Sequence, residues 1–243
     1  MSVMTAGSGP QVQELREVAL PAARTLALVT LVGVGCGMIT VGVLSRLAMF
    51  VLAELNPQAT GVTSDDGFVM GQVTLTGSLN LLLLAGPLLG VLGAGFYLAL
   101  RGLRVGPPWF QLLSISLGPA VVVGAMIVHA TGVDFRLLKP LWLAVGLFVV
   151  LPATYVVLVS VIAERLLLRW PEPSRSVLVL GLLAWVPLVP GLALLAAGWA
   201  ALRTVPGARI RANPAAAWAA RGVLTVVFLA AASDLVGDYR ALS

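Results

Sequence analysis

Arg46 stands in an otherwise apolar stretch, Leu44-Ser45-Arg46-Leu47-Ala48-Met49. A guanidinium keeps its charge at every accessible pH. Two readings are open. If Arg46 lies within a bilayer it must find a partner or water. If it lies near the edge it snorkels to the interface and anchors its helix. Glu54 is two turns further on, too far for a direct pair. Asp65-Asp66-Gly67 is the second feature. Adjacent acids can bind calcium where further oxygens converge, but the EF-hand spacing is absent and an Asp-Gly turn explains the pair without a metal. Arg46, Asp65 and Asp66 are the candidate interaction residues.

The remaining reactive side chains form no catalytic set. His129 is the only histidine and Cys36 the only cysteine. A lone histidine makes no zinc site, and a lone cysteine makes no intrachain disulfide. Cys36, between Gly35 and Gly37, reads as a small buried side chain. Ser114, Ser116, Thr154, Tyr155 and Ser160 are polar points in apolar runs, where hydroxyls commonly bond backbone carbonyls or a neighbouring helix. No Gly-x-Ser-x-Gly elbow, His-Glu-x-x-His or Walker motif occurs. No catalytic, metal or cofactor residue is assigned and no cofactor is expected. Arg221, Asp234 and Asp238 mark the last apolar run; the two acids share a helix face and repel unless a cation intervenes.

The elements that must position these residues are apolar helices. Hydrophobic residues make up 59% of the chain, charged residues 10%, and the mean hydropathy is +1.02. Runs of about 20 apolar residues match the hydrocarbon core of a bilayer. The expected fold is an all-α polytopic transmembrane bundle of about six spans, with a short β-like outer loop at 64–77. The domains follow: a cytoplasmic tail over 1–24, then one transmembrane domain over 25–243. The spans are placed at about 25–44, 79–100, 109–130, 141–163, 176–202 and 215–235. The helical pattern of the first continues to Leu55, longer than the bilayer needs. The fifth is long and carries Pro187 and Pro190, so it reads as one kinked, tilted helix. The sixth is interrupted by Arg221 and Asp234 and reads either as a span or as an interfacial helix.

Small residues supply the packing signal. Gly33 and Gly37 are four apart, as are Gly86 and Gly90. That spacing puts each pair on one face, where helices approach closely. The endings Ala94-Gly95-Phe96 and Ala197-Gly198-Trp199 raise the idea of an inverted three-plus-three repeat, an arrangement found in many transporters.

The net charge of +5 comes from basic residues beside the apolar runs, where lipid phosphate and the orientation rule place them. No nucleic-acid partner is expected; the expected partners are the lipid bilayer and a membrane protein or a second copy of the chain. Lys139 is the only lysine, an Arg-over-Lys bias that suggests a GC-rich bacterial genome. Both termini are expected in the cytoplasm, with the Asp65-Asp66 loop outside.

The stretch from Arg46-Leu47-Ala48-Met49 through Ser64-Asp65-Asp66-Gly67-Phe68 to Thr74-Leu75-Thr76-Gly77 resembles uncharacterised multi-pass membrane proteins of actinobacteria. It covers about a fifth of the chain. The resemblance implies a bacterial plasma membrane and brings no activity. The leading functional expectation is a non-enzymatic membrane protein that assembles with other membrane components. A small-solute transporter or channel is the alternative, and a lipid-acting membrane enzyme the third.

Overall fold

Backbone amides buried in hydrocarbon must bond within their own segment, so apolar runs of this length form helices. In the computed structural model of the chain, residues 10–65, 67, 69–170, 173–188 and 213–243 are described. They form an all-α helical bundle with five helices long and apolar enough to cross a membrane. The first crossing joins α1 (Pro10–Gly37), a π-helical segment (Met38–Leu44) and α2 (Ser45–Leu55). The second joins α3 (Leu75–Asn80), a second π-helical segment (Leu81–Ala85) and α4 (Gly86–Arg101). Then come α5 (Pro108–Ile127), the short α6 (Asp134–Leu137), α7 (Leu141–Arg169), α8 (Arg175–Leu183) and α9 (Pro214–Leu242).

Helix boundaries differ from expectation where capping decides them. The second crossing starts at Leu75 because the Thr74 hydroxyl accepts the Gly77 amide at 3.2 Å, an N-cap that outweighs the strand propensity of the stretch. In the connection before it, the described residues hold one antiparallel bridge, Thr63 to Val69. The last helix runs unbroken for 29 residues, so Arg221 and Asp234 do not interrupt it. The expected fifth span lies partly outside the described residues, as does the Ala197-Gly198-Trp199 half of the suggested repeat. What is described, Arg175–Leu188, is a shorter apolar helix.

The two π-helical segments pack against each other. In the second, the Gly86 amide bonds back five residues to Leu81. Pro87 follows at once. It lacks an N–H, and its ring crowds the carbonyl four residues back; the wider π turn gives that carbonyl room. No proline accounts for the first segment, where the Ser45 amide likewise reaches back five residues, to Thr40.

Below these segments α1 and α4 meet at backbone distance. Gly33 and Gly37 face Gly86 and Gly90. A Cβ added at Gly37 would sit 2.9 Å from the Gly90 Cα, and one at Gly86 would sit 3.0 Å from the Gly37 carbonyl oxygen. Only hydrogen fits such a seam. The Tyr155 hydroxyl of α7 donates to the Gly90 carbonyl at 2.7 Å and its ring lies over Gly93. Trp185 lies over Gly95 and donates from Nε1 to the Thr30 hydroxyl at 2.9 Å. Cys36 belongs to this core, beside Val29, Tyr97 and Val159. A second core, with Leu52, Phe135, Leu141 and Val145, fills the other end of the bundle.

Hydrogen bonds fix the directions of the crossings. Arg101 at the end of α4 pairs with Glu164 near the end of α7. Arg221 near the start of α9 donates to the Leu103 carbonyl at 3.0 Å. Asp238 near its end accepts the Ala130 amide at 3.1 Å. Thus α9 runs parallel to α5. The start of α1, Arg175 and Pro214 all lie at the end of the bundle that holds Glu164. The C-terminus lies at the opposite end. Among the described residues, the start of α1 at Pro10 and the end of α9 at Leu242 thus lie at opposite ends of the bundle.

Candidate functional site

The opposite end of the bundle carries a cleft of about 710 Å³. It is built by the chain between the first two crossings and by the 128–139 connection. The first crossing ends at Leu55, and Asn56 follows, fully buried. Its side chain fills all its hydrogen-bonding capacity. Nδ2 donates to the Leu52 carbonyl at 2.8 Å and to the Lys139 carbonyl at 2.9 Å. Oδ1 accepts the Lys139 amide at 2.7 Å and Gln58 Nε2 at 3.1 Å. One amide thereby clasps two connections that are 83 residues apart in sequence.

Beyond Asn56 the chain turns back on itself. The Gly61 amide bonds the Met70 carbonyl and the Met70 amide bonds the Val62 carbonyl. Gly71, at φ +74, presses on Thr60, so a side chain there would be strained and crowded. At the tip, the Gly67 amide closes a turn on the Ser64 carbonyl at 2.9 Å. Asp65 points outward from this turn and docks on the neighbouring connection. Its carboxylate accepts the Val133 amide at 3.0 Å, and its own amide donates to Asp134 Oδ1 at 3.2 Å. The loop is therefore a roof held at two points, Asn56 on Lys139 and Asp65 on Val133.

Arg46 and Asp65 both line the cleft; Asp66 lies outside the described residues. The Arg46 guanidinium lies against Gly77, whose missing side chain leaves it space. Its Nε is enclosed and has no hydrogen-bond partner. Met49, Phe50, Met126 and Phe148 supply apolar wall, while His129 and exposed Glu54 add polar points. Among the described residues, no group of three His, Cys, Asp or Glu side chains could hold a metal ion.

The hydroxyls that the sequence singles out on the third and fourth crossings are bonded to backbone or enclosed. Ser114 bonds the Gln111 carbonyl, Ser116 the Leu112 carbonyl and Thr154 the Val150 carbonyl. Tyr155 holds Gly90, and Ser160 Oγ is enclosed without a partner. Asp234 is exposed, while Asp238 accepts the Ala130 amide. Arg221 also stacks on Trp218, 4.7 Å from the ring centroid.

The other end of the bundle is tied by a cluster the sequence reading did not single out. Glu164 accepts hydrogen bonds from the Tyr97 hydroxyl at 2.7 Å, from Arg101 Nε at 2.8 Å and Nη2 at 2.7 Å, and from Arg104 Nη2 at 2.7 Å. A signal for it exists. Tyr97, Arg101 and Arg104 fall at i, i+4 and i+7 around the end of one helix, a spacing that gathers them on one face. Asn56 had no comparable signal, because Lys139 is distant in sequence and contributes only backbone.

From Ala19 onward, the described residues at this end carry seven arginines, Arg24, Arg101, Arg104, Arg165, Arg169, Arg175 and Arg221, against one acid, Glu164, while the first turns of α1 add Arg16 with Glu14 and Glu17. The cleft end carries Arg46, Arg136, Lys139 and Arg240 against Glu54, Asp65, Asp134, Asp234 and Asp238. The two ends thus differ in charge as well as in shape, one latched shut on Glu164 and the other open as the cleft. Comparison of the chain with family models, with curated proteins and with solved structures finds no match.

Proposed function

We propose that this chain is a non-enzymatic multi-pass protein of a bacterial plasma membrane that recognises another membrane component through the roofed cleft. The bacterial assignment rests on the arginine-rich composition and on the resemblance of the Arg46 to Gly77 stretch to actinobacterial membrane proteins. The observation that carries the functional reading is the cleft itself. Its roof is fixed by a fully satisfied buried amide and by a carboxylate docked on a neighbouring connection, whereas a connection that only joins two helices needs neither.

The charge difference between the ends supports an orientation. Basic residues accumulate on the cytoplasmic side of membrane proteins. The arginine-rich end with the start of α1 then faces the cytoplasm, and the cleft and the C-terminus face outward.

The test is extraction of the full chain in mild detergent, with the co-purifying protein or lipid identified by mass spectrometry. The reading expects a stoichiometric component that is lost when residues 64–68 are removed. If nothing co-purifies and no oligomer forms, the reading fails. A transporter is the second reading. It is favoured by the two π-helical segments that pack against each other, since π turns frequently occur at functional sites. Against it, the glycine seam and the Tyr155 to Gly90 bond close the bundle directly below.

A further inference from the structure

Arg46 is a charge that its surroundings leave incompletely paired. Its Nε is enclosed and unpartnered, yet the side chain as a whole is only half-buried where it lines the cleft. A desolvated guanidinium favours an oxyanion partner. The acids nearby do not supply one. The ion pairs of Glu164 are with Arg101 and Arg104, at the other end of the bundle. Asp65 is engaged by the Val133 amide and Asp238 by the Ala130 amide. Glu54 is exposed, eight residues along the helix, about 12 Å in rise.

The rest of the cleft narrows the ligand class. Phe50 is 51% exposed and Met126 69% exposed, both on membrane-crossing helices. In a bilayer those faces meet acyl chains, so the cleft has an apolar mouth inside the membrane and a polar interior. Its polar lining is more acidic than basic, with Glu54, Asp65 and Asp134 set against Arg46. A ligand with negative charge alone would meet that acidic rim unfavourably. A headgroup with a phosphate and an ammonium satisfies both parts.

We infer that the cleft holds a zwitterionic phospholipid of the phosphoethanolamine type. The phosphate pairs with Arg46, the ammonium lies toward Glu54 and Asp65, and the acyl chains leave past Phe50 and Met126. This rests on the reading of the cleft as the interaction site. It deepens that reading by naming the ligand class.

The test uses the full chain in mild detergent, titrated with phosphatidylethanolamine or phosphatidylglycerol and read by native mass spectrometry. The expected result is on the order of tenfold tighter retention of phosphatidylethanolamine, the scale of one charge-assisted hydrogen bond. Arg46→Gln should weaken retention of both lipids, since both phosphates meet Arg46, and Arg46→Lys should restore part of it; Glu54→Gln should reduce the preference for phosphatidylethanolamine. Arg240→Gln, which alters an exposed arginine at the same end, should leave both the retention and the preference intact. Equal retention of the two lipids by the wild-type chain overturns the inference, as does phospholipid retention that Arg46→Gln leaves unchanged. Displacement of the lipid by millimolar inorganic phosphate also overturns it, by assigning the site to a free oxyanion. If Arg46→Gln does not fold, the wild-type lipid comparison and the phosphate competition still decide. A co-purifying component that depends on residues 64–68, without any lipid preference, defeats this inference and leaves the interaction reading standing.

Discussion

Replacing Asn56 by alanine should detach the roof from the bundle. Asn56 is fully buried and holds four hydrogen bonds, two of them to the backbone of Lys139. Alanine leaves the Lys139 amide, the Lys139 carbonyl and the Leu52 carbonyl without their partner. Each stranded buried group costs about 1–3 kcal/mol. Some of them regain water when the loop relaxes, so a total of about 3–6 kcal/mol is expected. In a chain of this size 1 kcal/mol corresponds to roughly 2–4 °C of melting temperature. The expected loss is therefore on the order of 10 °C, measured by differential scanning fluorimetry in detergent. Asn56→Asp sharpens the test. An aspartate still accepts from the Lys139 amide, but it turns an oxygen toward two carbonyls that had a donor. It should be at least as damaging as alanine. An Asn56→Asp protein that melts with the wild type would show that the clasp does not hold the loop, and the reasoning would be wrong.

Two further outcomes follow from packing and charge. Gly37→Leu should abolish the folded protein in detergent, while Gly35→Leu on the same helix should be tolerated. An added Cβ at Gly37 meets the backbone of α4, whereas one at Gly35 meets nothing within 4 Å; equal melting temperatures for the two would refute the seam. Glu164→Gln should destabilise by about 1–2 kcal/mol, discounted because the side chain is 31% exposed. Adding Arg104→Gln to that variant should cost little more, and a fully additive double-variant melting shift would deny the coupling.

The fold class was legible because length and hydropathy alone decide it. The glycine pairs were legible as faces, since four-residue spacing fixes a face. The spacing cannot say which face meets which, and the structure supplies that by setting Gly33 and Gly37 on Gly86 and Gly90. The Arg46 to Gly77 belt stood out because polar, turn-forming residues are conspicuous among apolar runs. Its anchors did not stand out. Asn56 grips a peptide unit 83 residues away, and a backbone partner leaves no trace in composition. The π-helical segments were also hidden: hydrophobic periodicity barely distinguishes a π turn from an α turn, and Pro87 signalled only a disturbance. Direction was not legible in the sequence. A hydropathy pattern does not say which ends of the helices meet, so it cannot by itself sort the basic residues onto two sides. Once Arg221 is bonded to Leu103 and Asp238 to Ala130, most of the described arginines gather at one end.

That separation of the ends is the central claim, and the outward cleft depends on it. The most direct test is thiol labelling of intact cells with a membrane-impermeant maleimide, in a Cys36→Ala background. Single cysteines are placed at Val73 on the cleft end, at Ser243 at the C-terminus and at Arg169 on the arginine-rich end. The account predicts that Val73→Cys and Ser243→Cys label from outside, and that Arg169→Cys labels only after permeabilisation. Labelling of Val73→Cys and Arg169→Cys from the same side, or of Ser243→Cys together with Arg169→Cys, would contradict it.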